Sequence, residues 1–155
     1  MNQKELSFII KSAWDTYSAT DLVLNPQEDN KNIGLDIDYL FISCIQPANK
    51  SLLLGINRIL ATQLAAKMFA ITENEITEEY LIDASSEMLN IIAGNTKNTF
   101  NEQGSVGIPL HIDPSVFIQH YKHLQAEDVI LASSNNKPIY IALFDGDLTT
   151  KFVTH

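Results

Sequence analysis

One cysteine in 155 residues, Cys44, excludes an internal disulfide, and its apolar neighbours make it a packed core residue rather than a nucleophile. Basic residues are scarce as well: 10 Lys and Arg against 19 Asp and Glu give a net charge of −9, and the cations do not cluster. Nucleic acid and anionic membranes recruit proteins through basic patches that displace counterions, so neither is an expected partner. Long apolar runs are missing too. Leu52-Leu53-Leu54 and Ile139 to Phe144 fall far short of the roughly 20 residues that a spanning helix needs. Met1-Asn-Gln-Lys4-Glu5 lacks the basic-then-apolar form of a signal peptide, so a cytoplasmic location is expected. No linker, low-complexity tract or glycine-rich phosphate loop interrupts the chain.

What is present suits one globular domain over residues 1–155: 45% of residues are hydrophobic and 19% charged. A chain of this size buries about two-thirds of its unfolded surface. Leu6, Ile9, Ile10, Ala13 and Tyr17 recur at helical spacing and predict a first helix from Lys4 to Ala19, with Trp14 on its flank. Asn25-Pro26 to Asn32 reads as a polar loop. Ile33, Leu35, Ile37 and Tyr39 alternate with polar residues and glycine, as in a half-buried strand that runs on to Ile45. Pro47-Ala-Asn49-Lys50 turns into a second strand, Ser51 to Asn57, and an Ala-rich helix follows from Arg58 to Ala70. Later strands are expected over Val106 to Ile112, Asp128 to Ala132 and Pro138 to Phe144, with turns at Ser134 to Lys137 and Asp145-Gly146. Ser115 to His123 fits helix or strand. The economical architecture is α+β, with helices packed on an antiparallel sheet.

The most informative segment is Asp83-Ala-Ser-Ser-Glu87-Met-Leu-Asn90-Ile-Ile-Ala-Gly94-Asn-Thr-Lys97. Thr77 predicts an N-cap, Glu78 and Glu79 suit the positive end of the dipole, and Ile76 with Leu81 has hydrophobic-staple spacing. At about 100° per residue, Leu81, Ser85, Met88, Leu89, Ile92, Thr96 and Phe100 gather on one side. Asp83, Glu87, Asn90, Gly94 and Asn98 gather opposite, and Ile91 lies beside this outward stripe and is expected to be exposed too. Glu87 and Asn90 therefore stand on neighbouring turns, where a carboxylate and a carboxamide grip one small target together. Gly94, one turn after Asn90, lets another surface approach the backbone.

Other constellations carry less. His120 and His123 have the wrong spacing for a helical ligand pair and no carboxylate array around them, so they read as surface residues. His111 is expected to pack beside a strand. Ser85-Ser86 lacks a strand-to-helix elbow, and Asp15 and Ser18 read as solvated helix residues.

Glu and Asn are ordinary on helix faces, but the string from Asp83 through Lys97, followed by Gly104 and Ile108-Pro109, resembles the CheC/CheX/FliY family of phosphatases that act on phosphorylated CheY. The family's mark is an acidic residue or Ser, three spacers, Glu, two spacers, Asn and a later Pro. Asp83, Glu87 and Asn90 fit it position for position. Pro109 comes a few residues early and Pro114 one late. Pro109 is preferred, because it follows a strand-like stretch and a short deletion around Glu102 to Val106 accounts for the spacing.

The resemblance implies a CheC/CheX-like pseudo-repeat of helix then strands. It implies a single site per chain, as in the CheX type, because neither Glu5-Leu-Ser-Phe8 nor Asp15-Thr-Tyr-Ser18 has Asn in place. It also implies hydrolysis of an aspartyl phosphate on a CheY-like response regulator. Asn90 would orient the attacking water, Glu87 would pair with a receiver lysine, and Asp83, Ile91 and Gly94 would contact the partner. No cofactor of its own is implied, and Mg²⁺ would come with the receiver. A homodimer through the sheet is expected. The alternative is a non-catalytic binding or dimerisation module related to flagellar switch proteins.

Overall fold

The computed structural model describes residues 1–24, 37–120 and 124–152. Helix α1 (Gln3–Tyr17) leads to strands β1 (Val23–Leu24), β2 (Tyr39–Gln46) and β3 (Lys50–Ile56). Helices α2 (Arg58–Phe69) and α3 (Glu78–Phe100) follow, then β4 (Ser105–Val106), β5 (Leu110–Ile112), α4 (Pro114–His120), β6 (Ala126–Ser134) and β7 (Lys137–Asp145). The α+β class is as expected. Every strand pair is antiparallel, and the order is β1-β6-β7-β3-β2-β4, with β5 also on β2.

This order repeats one arrangement twice. In each half a helix is followed by a short strand, and that strand pairs with a long strand of the other half. Val23 of β1 lies opposite Ser133 of β6, and Val106 of β4 opposite Ile45 of β2. The halves meet at the sheet centre, where β3 pairs with β7 from Lys50 opposite Asp145 to Ile56 opposite Ile139. Helices α1 and α3 are thus equivalent by pseudo-symmetry, as the helix-then-strand order predicts.

Turn chemistry explains the hairpins. Asn135 and Asn136 both take positive φ, 50° and 61°, in the two-residue connection of β6 to β7, where asparagine tolerates left-handed backbone. Gly146, at φ 87°, donates its N–H to the Asn49 carbonyl at 2.7 Å and joins two turns at one end of the sheet.

One core lies between the sheet and the helices and includes Leu6, Ile10, Phe41, Leu54, Leu64, Met88 and Ile141. A second lies on the opposite face, where Leu40, Ile42, Leu53 and Phe144 meet Phe117 of α4 and Phe152. Strand β2 is consequently buried on both faces as far as Ile45, not half-buried, and it starts at Tyr39. Ile33 and Leu35 of the expected strand, and the expected loop from Asn25 to Asn32, lie outside the described residues.

Three further expectations are corrected. Trp14 sits wholly in the core, not on a flank, and donates its indole N–H to Ser134 Oγ at 3.0 Å. Ser18 is buried at the end of α1, and Asp15 is half-buried, held by Lys11 at 2.8 Å and by the Leu22 N–H at 2.8 Å. Both residues close the α1–β1 turn rather than facing solvent. The ambiguous stretch is helical over Pro114–His120, and Asp113 accepts from the Ser115 N–H at 2.9 Å to start it.

Candidate functional site

The site region is built on α3, and its first turn is fixed from the sheet. Thr77 occupies the N-cap position with extended backbone, but its hydroxyl makes no capping bond. The anchor is Glu78, which accepts from the Tyr39 hydroxyl at 2.6 Å and from Arg58 at 2.6 Å. Arg58 also donates to the Tyr39 oxygen at 2.9 Å. Burial, reinforced by the Glu78 carboxylate, pushes the Tyr39 phenol up to about 12. Tyr39 and Arg58 in turn hold Glu78 below the ordinary carboxylate range.

Along α3, Leu81, Ala84, Ser85, Met88, Leu89, Ile92, Ala93 and Thr96 are buried. The two polar members of this face are satisfied locally: Ser85 donates to the Leu81 carbonyl and Thr96 to the Ile92 carbonyl, each at 2.8 Å. Burial therefore fixes the rotation of the helix. Asp83, Glu87 and Asn90 are exposed on the other side, in the predicted phase. No hydrogen bond or ion pair with another described residue occupies the Glu87 carboxylate or the Asn90 carboxamide.

Two members of the expected set differ in setting. Ile91 is half-buried and packs against the main core, which corrects the expectation of an exposed side chain. One residue beyond Asn90 the helix has turned about 100°, far enough to bring Ile91 to the edge of the packed face. Gly94 is half-buried, yet a Cβ built on it meets nothing within 4 Å. It leaves a notch in the stripe beside Asn90.

Tyr80 is a member of the stripe that the motif alone misses. It precedes Asp83 by three residues, is 38% exposed, and packs its ring on Phe69 with centroids 5.6 Å apart. The 3-4-3-4 spacing from Tyr80 through Asp83, Glu87, Asn90 and Gly94 is the available signal.

Strand β4 packs against α3, and the Gly107 N–H donates to the Cys44 carbonyl at 2.8 Å, holding the segment before Pro109 on the β2 edge. Pro114 instead opens α4, whose Phe117 packs in the opposite core. Of the two prolines, Pro109 follows the segment that lies on the α3 side.

The remaining candidates keep structural settings. Cys44 is buried, and burial pushes its thiol up, away from the reactive thiolate. His111 lies in β5 and stacks on Phe41 at 4.8 Å. His120 is exposed with its ring edge-on to Phe152, and His123 lies outside the described residues. Among the described residues no group of three or more His, Cys, Asp or Glu is arranged to hold a metal ion. No helix among them is long and apolar enough to cross a membrane.

Residues 40–131 match the family of the chemotaxis phosphatase CheX, a span that contains Asp83, Glu87, Asn90, Gly94 and both prolines. Among solved structures, the CheX–CheY–BeF₃–Mg²⁺ complex of Borrelia burgdorferi aligns with a TM-score of 0.70 at 16% identity, over 94% of this chain and 99% of that one. The chemotaxis protein CheX of Vibrio vulnificus aligns at 0.67 and 13% identity, over 91% and 93%. FliY of Thermotoga maritima aligns at 0.55 and 13%, over 96% and 92%. At these identities the likeness is one of fold. No curated protein matches the chain.

Proposed function

We propose that this chain, which belongs to the CheX family of chemotaxis phosphatases, hydrolyses the aspartyl phosphate of a CheY-like response regulator and so ends its signal. The observation that carries the reading is the pair Glu87 and Asn90, exposed on adjacent turns of α3 with neither side chain engaged by another described residue. The Borrelia protein of the same fold was crystallised with CheY, and this supports a receiver as partner.

The reaction asks little covalent chemistry of the helper. A water oxygen attacks phosphorus in line, the bond from phosphorus to the aspartyl oxygen breaks, and inorganic phosphate leaves while the carboxylate is regenerated. Helping consists of placing that water, which replaces a translational search by a fixed geometry. The Asn90 carboxamide suits the task, since its oxygen accepts a hydrogen bond from water, its NH₂ donates one, and it carries no charge to repel phosphate. The Glu87 carboxylate, one turn away, pairs with a receiver lysine and sets the docking register. Asp83, the exposed part of Ile91 and the notch at Gly94 complete the contact. The chain needs no cofactor of its own. Mg²⁺ bound in the receiver's acidic pocket supplies charge neutralisation at the phosphoryl group, as its presence in the Borrelia complex supports.

Receivers are often acidic, and this chain carries −9, so short-range fit rather than long-range steering governs encounter. We place the reaction in the cytoplasm. The protein acts as a homodimer in this reading, because the two-residue strand β1 pairs only with Ala132 and Ser133 and leaves the rest of the outer β6 edge open to pairing. A monomeric mass by light scattering at tens of micromolar would contradict that part.

The function is tested by incubating the protein with a panel of phosphorylated receivers and timing phosphate loss. Faster loss from at least one receiver is expected. Receiver binding with no acceleration would instead favour a non-catalytic binding module of the kind found in flagellar switch proteins.

A further inference from the structure

Resting on the phosphatase reading, we infer that Tyr80, held by Phe69, is the docking anchor that selects the receiver, acting on binding and not on the chemical step. Tyr80 belongs to the same straight seam as Asp83, Glu87, Asn90 and Gly94. Over ten residues of helix it lies about 15 Å from Asn90 along the axis. A standard interface covers roughly 800 Å² on each partner, a patch about 30 Å across. A receiver seated on Glu87 and Asn90 therefore reaches Tyr80, while the water beside Asn90 does not.

Three features make this ring an anchor rather than an incidental exposed side chain. Tyr80 is 38% exposed and its ring packs tilted on Phe69, itself 38% exposed, so the contact restrains the ring before binding and less side-chain entropy is lost. Aromatic residues presented in this rigid way dominate interface energetics. The ring also borders a shallow depression of about 310 Å³ lined by Thr77, Glu79, Tyr80 and Asp83, and Asp83 is shared with the stripe of the proposed site. The occupant is the receiver itself, at the part of its surface beyond the phosphoryl pocket.

Phe69 closes α2 and Tyr80 lies in the first turn of α3, so the ring contact also joins two helix ends, and the test must separate this structural role from docking. Steady-state dephosphorylation is compared for wild type, Tyr80→Ala, Tyr80→Phe and Tyr80→Arg, using receivers charged by a small acyl phosphate. The same receivers, loaded with beryllofluoride and Mg²⁺, supply Kd. Tyr80→Ala is expected to raise KM and Kd about 30-fold with kcat within twofold, the lower bound of a hot-spot effect. Tyr80→Phe should restore wild-type values. Tyr80→Arg keeps helix propensity and a stem over Phe69, so if Tyr80→Ala fails to fold, a raised KM in Tyr80→Arg carries the same conclusion. A folded Tyr80→Ala or Tyr80→Arg with unchanged KM and Kd overturns the inference, as does a fall in kcat alone. If the wild type binds the beryllofluoride receivers but hydrolyses none, the phosphatase reading fails and Kd of the variants still decides the role of Tyr80. Absence of both binding and hydrolysis overturns both.

Discussion

The Tyr39 hydroxyl donates to Glu78 at 2.6 Å and thereby ties the first turn of α3 to the strand beneath it. Through this contact, and the Arg58 bond from α2 to the same carboxylate, the sheet and α2 together set where the exposed stripe of α3 begins. The contact has a pH signature. Burial and Glu78 raise the folded-state phenol to about 12, above its ordinary value near 10. A raised pKa contributes stability that is fully present below about pH 10 and lost as pH rises toward about 12. Urea midpoints should therefore fall steeply between these values, and Tyr39→Phe should flatten that slope. An unchanged slope in Tyr39→Phe would assign the alkaline transition to other groups.

Ile91 packs against the core from the edge of the stripe, so Ile91→Asp should destabilise the fold by roughly 1–3 kcal/mol, as expected when a charge enters a half-buried apolar setting. The thermal midpoint should drop by several degrees. A midpoint equal to wild type would place the side chain in solvent.

Gly94 separates stability from docking. Its Cβ would enter open space, so Gly94→Ala should stabilise the free protein by about 0.5–1 kcal/mol through helix propensity. The same methyl fills the notch beside Asn90, so binding to a beryllofluoride-loaded receiver should weaken several-fold. Gain of stability with unaltered binding would mean that no partner surface enters the notch.

These contrasts show which parts of the molecule can be read from one sequence. Helix α3 is legible because 23 residues repeat a 3.6-residue period, which leaves little freedom in assigning its faces. Asp83, Glu87 and Asn90 follow from that phase. Trp14 and Ile91 escape this reading for one reason: each sits well off the centre of its apolar stripe, where neighbours distant in sequence decide burial. For Trp14 the deciding neighbour is Ser134, 120 residues away. Strand β2 looks half-buried until Phe117 and Phe152, far along the chain, are seen to cover its second face. The Tyr39–Arg58–Glu78 contact has no local signature, because its three members lie on three different elements.

The central claim rests on Asn90 as the group that orders the attacking water, and one comparison tests it most directly. Wild type, Asn90→Ala and Glu87→Ala are measured by single-turnover dephosphorylation of a receiver that the wild type accelerates. Affinity for the same receiver is taken from titration with its beryllofluoride form. Asn90 is exposed and makes no bond within the described structure, so its loss should leave stability within about 0.5 kcal/mol of wild type. Asn90→Ala should lose most of the rate, on the order of 100-fold, with near wild-type affinity, as for a group that acts only in the transition state. Glu87→Ala should lose both rate and affinity. Full activity in Asn90→Ala would contradict the mechanism.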